Sequence, residues 1–318
     1  MRSSQDDPYW SNRQQYEAVE RVSVDMPILL TGGWFDTFTQ QTLQQYQRLQ
    51  QRGCKVELVV GPWTHVGASE IGGDIFRFIE KTVGGKLPVS ELQPPILPQA
   101  RIFISGSDEW RTMALWPPKS SPLVMYLDDD KGISDQPPSN ATGTTSFTFD
   151  PADPTPALGG PLLFPVSGRV DDSAYAARAD VLTFTSRPIE DNDGLEVLGA
   201  PSVQLMHSTD TGHADLWIRL SEVDSKGVSH NITEEYRVID PGRASEDPVT
   251  VKLRDCAHRF LKGTRIRLII AGGSWPTYAR NLGTGECRMT GVEMRKTKHT
   301  ILHGSGQSQL ILPISVKE

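Results

Sequence analysis

The chain has 318 residues, 37% of them hydrophobic and 22% charged, with a formal net charge of -7. That length allows a real buried core and two domains, and the mild acidic excess offers no electrostatic footprint for nucleic acid or an anionic membrane surface. The longest apolar stretches, such as 27–30 and 58–60, are far too short to span a bilayer, and no charged-then-apolar leader follows Met1, so a cytoplasmic location is the default expectation.

Residues 24–30 form a compact apolar run closed by Gly32-Gly33, as in a fully buried strand. The polar stretch that follows carries Phe35, Phe38, Leu43, Tyr46 and Leu49 at close to helical spacing, with Gly53 as its stop. A second strand is predicted over 55–60, ending at Gly61-Pro62; a second helix follows over 73–83, and a third strand over 101–105. This alternation means an α/β layer built on a parallel sheet. From about Leu123 the pattern changes to short runs rich in Val, Ile, Thr, Phe and Leu between Gly, Pro, Asp and Asn turns. Among them are LVMYL, SFTFD, DVLTFTS, HADLWIRLSEV, VTVKL, TRIRLIIA and SQLILPI, and within 214–223 Leu216, Ile218 and Leu220 share one face. Many short alternating strands indicate a β-sandwich or jelly roll. The predicted fold class is therefore α/β plus all-β, with domains over 1–118 and 119–318.

Two loops carry the candidate chemistry. Gly33-Trp34-Phe35-Asp36 follows the first strand and Gly61-Pro62-Trp63-Thr64-His65 follows the second. Both lie past the carboxyl end of a parallel strand, where α/β sheets gather ligands and catalytic groups. Acyl transfer needs an acid to hold the imidazole tautomer and a histidine to shuttle the proton, and Asp before His is the order of α/β-hydrolases. Each residue alone has a plainer reading. Asp36 suits a helix N-cap, His65 a loop histidine bonded to backbone, and Trp34 and Trp63 packing. The three cysteines are scattered without metal-ligand spacing. Of the seven histidines only His299 and His303 stand at i,i+4, in a β region where that spacing does not bring side chains together, so they read as surface residues. No metal or organic cofactor is implied.

GGWFD followed by VVGPWTH resembles the Asp and His loops of the cocaine esterase (CocE/NonD) and X-prolyl dipeptidyl peptidase hydrolases. The resemblance continues through RIFISGSDEWRTMALWPP, ADVLTFTSRPIEDNDGLEVLGAPSVQLMHSTD, HRFLKGTRIRLIIAGGSWPTYARNLGTGE and HTILHGSGQSQLILPI, and so spans most of the chain. It implies a serine hydrolase of esters or of amide and peptide bonds, with Asp36 as triad acid and His65 as general base. It implies a galactose-binding-like jelly roll in the second half. It also makes Phe38 and Trp34 candidates to line the substrate pocket, with Leu163 and Phe164 as further candidates from a loop leaning over the site; ordinary packing is the alternative for these.

The family's nucleophile sits on a G-x-S-x-G elbow upstream of the Asp, and no such pentapeptide occurs; 67–71 and 272–276 both lack the last Gly. The expectation is a truncated, C-terminal portion of such a hydrolase, inactive by itself and completed by an N-terminal segment or a complementary chain. Its first strand would keep an unpaired edge that invites association of copies. The alternative is a non-catalytic jelly-roll binding module carrying a vestigial hydrolase remnant.

Overall fold

A computed structural model describes residues 16–67, 71–83, 99–140, 142–163, 166–244 and 246–316. The first sheet takes strands β1 (Ile28–Phe35), β2 (Val56–Thr64), β3 (Gln99–Ile104) and β4 (Glu109–Met113), in that order. β1–β2 and β2–β3 are parallel and β3–β4 is antiparallel. Helix α1 (Thr39–Gln51) links β1 to β2, and α2 (Gly72–Val83) follows β2. Leu43, Tyr46 and Leu49 recur every three residues on α1, so they share one face. They are buried with Val56, Leu58, Val60, Ile102 and Ile104 of the sheet, each such side chain contributing roughly 1.5–3 kcal/mol of burial. Gly53 ends the helix at φ +77°, a left-handed stop that a glycine adopts without strain.

The glycine pairs expected to close the strands lie inside them instead. β1 begins four residues later than the apolar run and passes through Gly32-Gly33, and β2 passes through Gly61-Pro62. The reason is close approach: a Cβ on Gly33 would overlap the Trp63 carbonyl, and one on Gly61 would overlap the Trp63 ring. On this face Leu29, Val59, Trp63 and Ile71 form a small cluster. Helix α2 leaves Ile75, Phe76 and Ile79 exposed, and the outer edge of β1 pairs with no strand among the described residues.

The second half contains β5 (Ser120–Leu127), β6 (Gly132–Ser134), β7 (Thr144–Phe149), β8 (Val181–Ser186), β9 (Leu195–Gly199), β10 (Ser202–Thr209) and β11 (Asp215–Val223). It continues with β12 (Ser229–Val238), β13 (Val249–Lys252), β14 (Cys256–Phe260), β15 (Arg265–Ala271), β16 (Thr297–Leu302) and β17 (Gln309–Ser315). They pair in the order β12-β11-β15-β8-β6-β5-β17-β10-β16-β7, with β13 on β10, and β9 between β14 and β17. Only β6–β8 among these pairings is parallel.

One reading of polar residues is corrected here, that of His299 and His303 as surface residues. Leu216, Ile218 and Leu220 share a face of β11 as expected, and all nine residues of the strand are buried. Arg219 is enclosed with Glu234 and Asp172; its guanidinium bonds Glu234, which also accepts from Trp217 Nε1 at 3.2 Å, and Ser221 Oγ donates to Asp172 at 2.7 Å. His299 and His303 are likewise interior. His299 Nδ1 lies 3.0 Å from His207 Nε2 and stacks on Phe147, while His303 Nε2 lies 2.9 Å from Thr145 Oγ1. His299 points inward because alternate positions of β16 face the core, His303 lies just past the strand's end, and each has found a separate partner.

The two halves share a core. Trp116, Leu198 and Ala257 join the cluster under α1. At the end of β3, Ser105 N donates to Ala257 O (3.0 Å) and Arg259 N to Ser105 O (2.8 Å). Glu196 of β9 accepts from Arg111 and Arg259, both at 2.7 Å.

Candidate active site

The site is set by the register of β1 and β2. Gly33 stands opposite Gly61, an offset of 28, but Phe35 stands opposite Thr64, an offset of 29. One extra residue is therefore inserted in β2 between these pairs, a β-bulge. Continuing the second offset places residue 36 opposite residue 65. Without the bulge the partner of Asp36 would be Thr64. Pro62 belongs to this irregular stretch, and having no N–H it removes no ladder bond there.

Asp36 and His65 meet as this register requires. His65 Nδ1 lies 3.2 Å from Asp36 Oδ1 and 3.3 Å from Oδ2. Asp36 is not the helix N-cap; that position is Phe38. The Asp36 carboxylate instead accepts from the Phe38 backbone N–H at 3.0 Å, and Asp36 N donates to Gly33 O at 2.9 Å, so the acid is fixed within its own turn. Thr39 Oγ1 donates to the same Gly33 carbonyl. A turn from Gly67 N to Thr64 O (3.2 Å) holds the His65 loop. The Asp36 side chain keeps 18% of its surface and that of His65 42%, so the imidazole edge away from Asp36 faces outward.

Phe38 lies edge-on against the His65 ring at 5.3 Å between centroids and is itself half exposed. Trp34 is placed differently. Its indole N–H donates to Phe103 O at 2.7 Å, its ring meets Trp116 at 5.5 Å, and it packs on the cluster shared by the two halves. Leu163 is exposed on a hairpin whose neck is closed by Gly160 N to Gly168 O (2.8 Å) and Gly168 N to Gly160 O (3.0 Å). Phe164 lies outside the described residues. The hairpin neck touches the site, since a Cβ on Gly168 would sit 3.3 Å from the Thr64 methyl. Asn231, unnoticed in the sequence as a site residue, holds that neck: its Oδ1 accepts from Val170 N at 2.7 Å and its Nδ2 donates to Gly168 O at 3.0 Å.

A second hydroxyl–imidazole–carboxylate series crosses the seam. Ser105 Oγ is 2.8 Å from His258 Nδ1, and His258 Nε2 is 3.6 Å from Glu222. His258 and Glu222 are buried and Ser105 Oγ also reaches Ala257 O at 2.9 Å, so this series ties β3 to the second half and has no free nucleophile.

Comparison with known proteins agrees with this architecture. Residues 93–311 match the X-Pro dipeptidyl-peptidase C-terminal non-catalytic domain, and residues 1–67 match the X-Pro dipeptidyl-peptidase (S15 family). The cocaine esterase of Rhodococcus sp. (strain MB1 Bresler) is 26% identical over 351 aligned positions, covering 97% of this chain and 59% of the esterase. An α-amino acid ester hydrolase has the same fold with a TM-score of 0.82 at 20% identity, over 97% of this chain and 59% of the other. An aminopeptidase from a marine-sediment Thaumarchaeota archaeon follows at 0.79 and 18%, over 98% and 58%. The chain thus spans about three fifths of the length of these relatives. It belongs to the family of the X-Pro dipeptidyl-peptidase C-terminal non-catalytic domain, which follows a stretch that matches the S15 family over residues 1–67.

Proposed function

We propose that Asp36 and His65 are the orienting acid and the general base of a Ser-His-Asp hydrolase acting on ester or amide bonds. The serine and oxyanion hole are carried by polypeptide beyond this sequence, either continuous with it or as a separate chain. One observation carries this reading: His65 Nδ1 is committed to Asp36, which leaves Nε2 free for a serine hydroxyl. In the reaction, the serine Oγ proton passes to His65 Nε2 as Oγ attacks the carbonyl carbon. The imidazolium then returns the proton to the departing alcohol or amine as the C–O or C–N bond breaks. Water repeats the sequence on the acyl-enzyme, releasing the acid and restoring the serine. Phe38 lines the acyl pocket beside His65, with Leu163 on the hairpin opposite, and Trp34 supports the loop from behind. The free edge of β1 and the exposed Ile75, Phe76 and Ile79 of α2 are the surface that receives the serine-bearing part. Of the two bonds we favour the ester, on the relationship to the Rhodococcus esterase. We read residues 119–318 as a galactose-binding-like jelly roll, a reading supported by its antiparallel pairing order, and residues 1–118 as the hydrolase part.

The test is to supply the serine-bearing portion of the Rhodococcus esterase, in trans or by fusion, and assay p-nitrophenyl acetate. Turnover that appears on mixing and vanishes in His65→Ala is expected; turnover unaffected by His65→Ala refutes the assignment. A second reading, a binding module without catalysis, is favoured by the extent of the non-catalytic domain match over 93–311. It predicts no turnover under any complementation.

A further inference from the structure

Between α1 and the second half lies a cavity of about 380 Å³, walled by Gln40, Gln41 and Gln44 on one side and by Glu235, Lys252, Leu253 and Arg254 on the other. Its volume is at the small end of the ~300–1,000 Å³ typical of ligand pockets. Its lining is almost wholly polar, which disfavours an apolar occupant. The charges in it are poorly matched among themselves. Arg254 Nε is shielded from solvent without a hydrogen-bond partner, and the nearest carboxylate oxygen, on Glu235, is 3.8 Å away. Lys252 forms no ion pair among the described residues, and neither Gln41 nor Gln44 makes a side-chain hydrogen bond there. Two acids lie beside these cations: Glu235 in the wall, and Asp255, which attracts Lys252 and is bonded by Gln40, whose carboxamide is oriented to donate to its Oδ2 at 3.2 Å. A second open cavity, around Thr148, Asp153 and Arg178, differs in this respect. Its Arg178 is already paired with Asp180 at 2.7 Å, and its Asp150 with Lys296 at 2.8 Å.

We propose that the seam cavity binds a small organic carboxylate, gripped by the Arg254 guanidinium and Lys252 and bonded by the Gln41 and Gln44 carboxamides. A planar carboxylate matches the guanidinium fork and takes up the orphaned N–H. Glu235 and the carboxamide oxygens accept from any hydroxyl or ammonium the ligand also carries. The occupant spans both halves of the molecule. Arg254 Nη1 already reaches Thr37 O at 3.5 Å, one residue beyond Asp36, so a bound anion braces the turn that carries the acid.

Succinate titrated into the full chain at constant ionic strength, followed by amide-resolved NMR, is expected to shift residues 40–44 and 252–254 saturably. Lys252→Glu and Gln44→Glu alter exposed side chains and should leave the thermal midpoint in place. Each is expected to weaken succinate binding by about tenfold or more, the loss of one charge-assisted bond. Dimethyl succinate, with the same shape and no charge, should leave these amides unmoved. The proposal is overturned if succinate gives no saturable shift, if both variants bind it as the wild type does, or if inorganic phosphate binds as tightly.

Discussion

Acidification is expected to destabilise the second half through two of its enclosed histidines, His207 and His299. Burial, reinforced by Arg243, pulls His207 down to about 4, and burial together with His207 holds His299 well below the ordinary imidazole range. In the unfolded chain both titrate near the ordinary value of 6.5. As pH falls, the unfolded chain therefore takes up these protons first. The stability they permit is complete above the unfolded pKa and is lost progressively as pH drops towards the folded one. For His207 alone the loss amounts to about 2 kcal/mol at pH 5 and about 3 kcal/mol at pH 4, against a total that rarely exceeds ~15 kcal/mol. His299 adds to it with the same sign. Urea denaturation at pH 7 and pH 5 measures the effect, above the range where most carboxylates titrate. The wild type should lose about 2 kcal/mol more over this interval than His207→Gln. Equal losses in the two proteins would refute the reasoning.

Gly33→Ala should destabilise the first sheet by about 1–3 kcal/mol, because the new Cβ overlaps the Trp63 carbonyl and β2 must retreat; urea unfolding reports it. Arg219→Met leaves the carboxylates of Glu234 and Asp172 enclosed without their cation. A loss of about 3–5 kcal/mol is expected by the same measurement, and a loss under ~1 kcal/mol would show that the cluster is not held by charge. Asp36→Asn should move the proton of His65 from Nδ1 to Nε2, visible in the imidazole nitrogen NMR of the chain itself. In the complemented hydrolase it should lower the rate by about 10⁴-fold.

The strand–helix–strand order, the Asp-before-His arrangement and the α1 core face were all legible, because apolar periodicity and loop position depend on local sequence alone. What brings Asp36 and His65 side by side was not. The single-residue bulge in β2 is a property of pairing between strands, and its only trace in the sequence is Pro62, which cannot donate to a ladder. The glycines beside it were read as stops when their role is to admit Trp63. The enclosed Arg219, His207 and His299 escaped for a related reason: alternation separates the two faces of a strand without saying whether the polar face meets water or a second polar layer. Nothing local announces that the Asn231 amide is spent on the hairpin neck.

That clamp bears on how the protein can be produced. Asn231-Ile232-Thr233 is an acceptor sequence for N-linked glycans, but in the folded chain the Asn231 amide is 2% exposed and both its ends are bonded. A sugar added during passage through a eukaryotic secretory pathway would occupy the nitrogen that holds Gly168 and bring its bulk into the neck beside Thr64. Such chains would carry an opened neck beside Thr64, the neighbour of His65. Asn140, by contrast, lies on an exposed turn where a glycan displaces only its bond to Asp129. Material from a host without this modification, or bearing Asn231→Asp with one end of the clamp kept, avoids that heterogeneity.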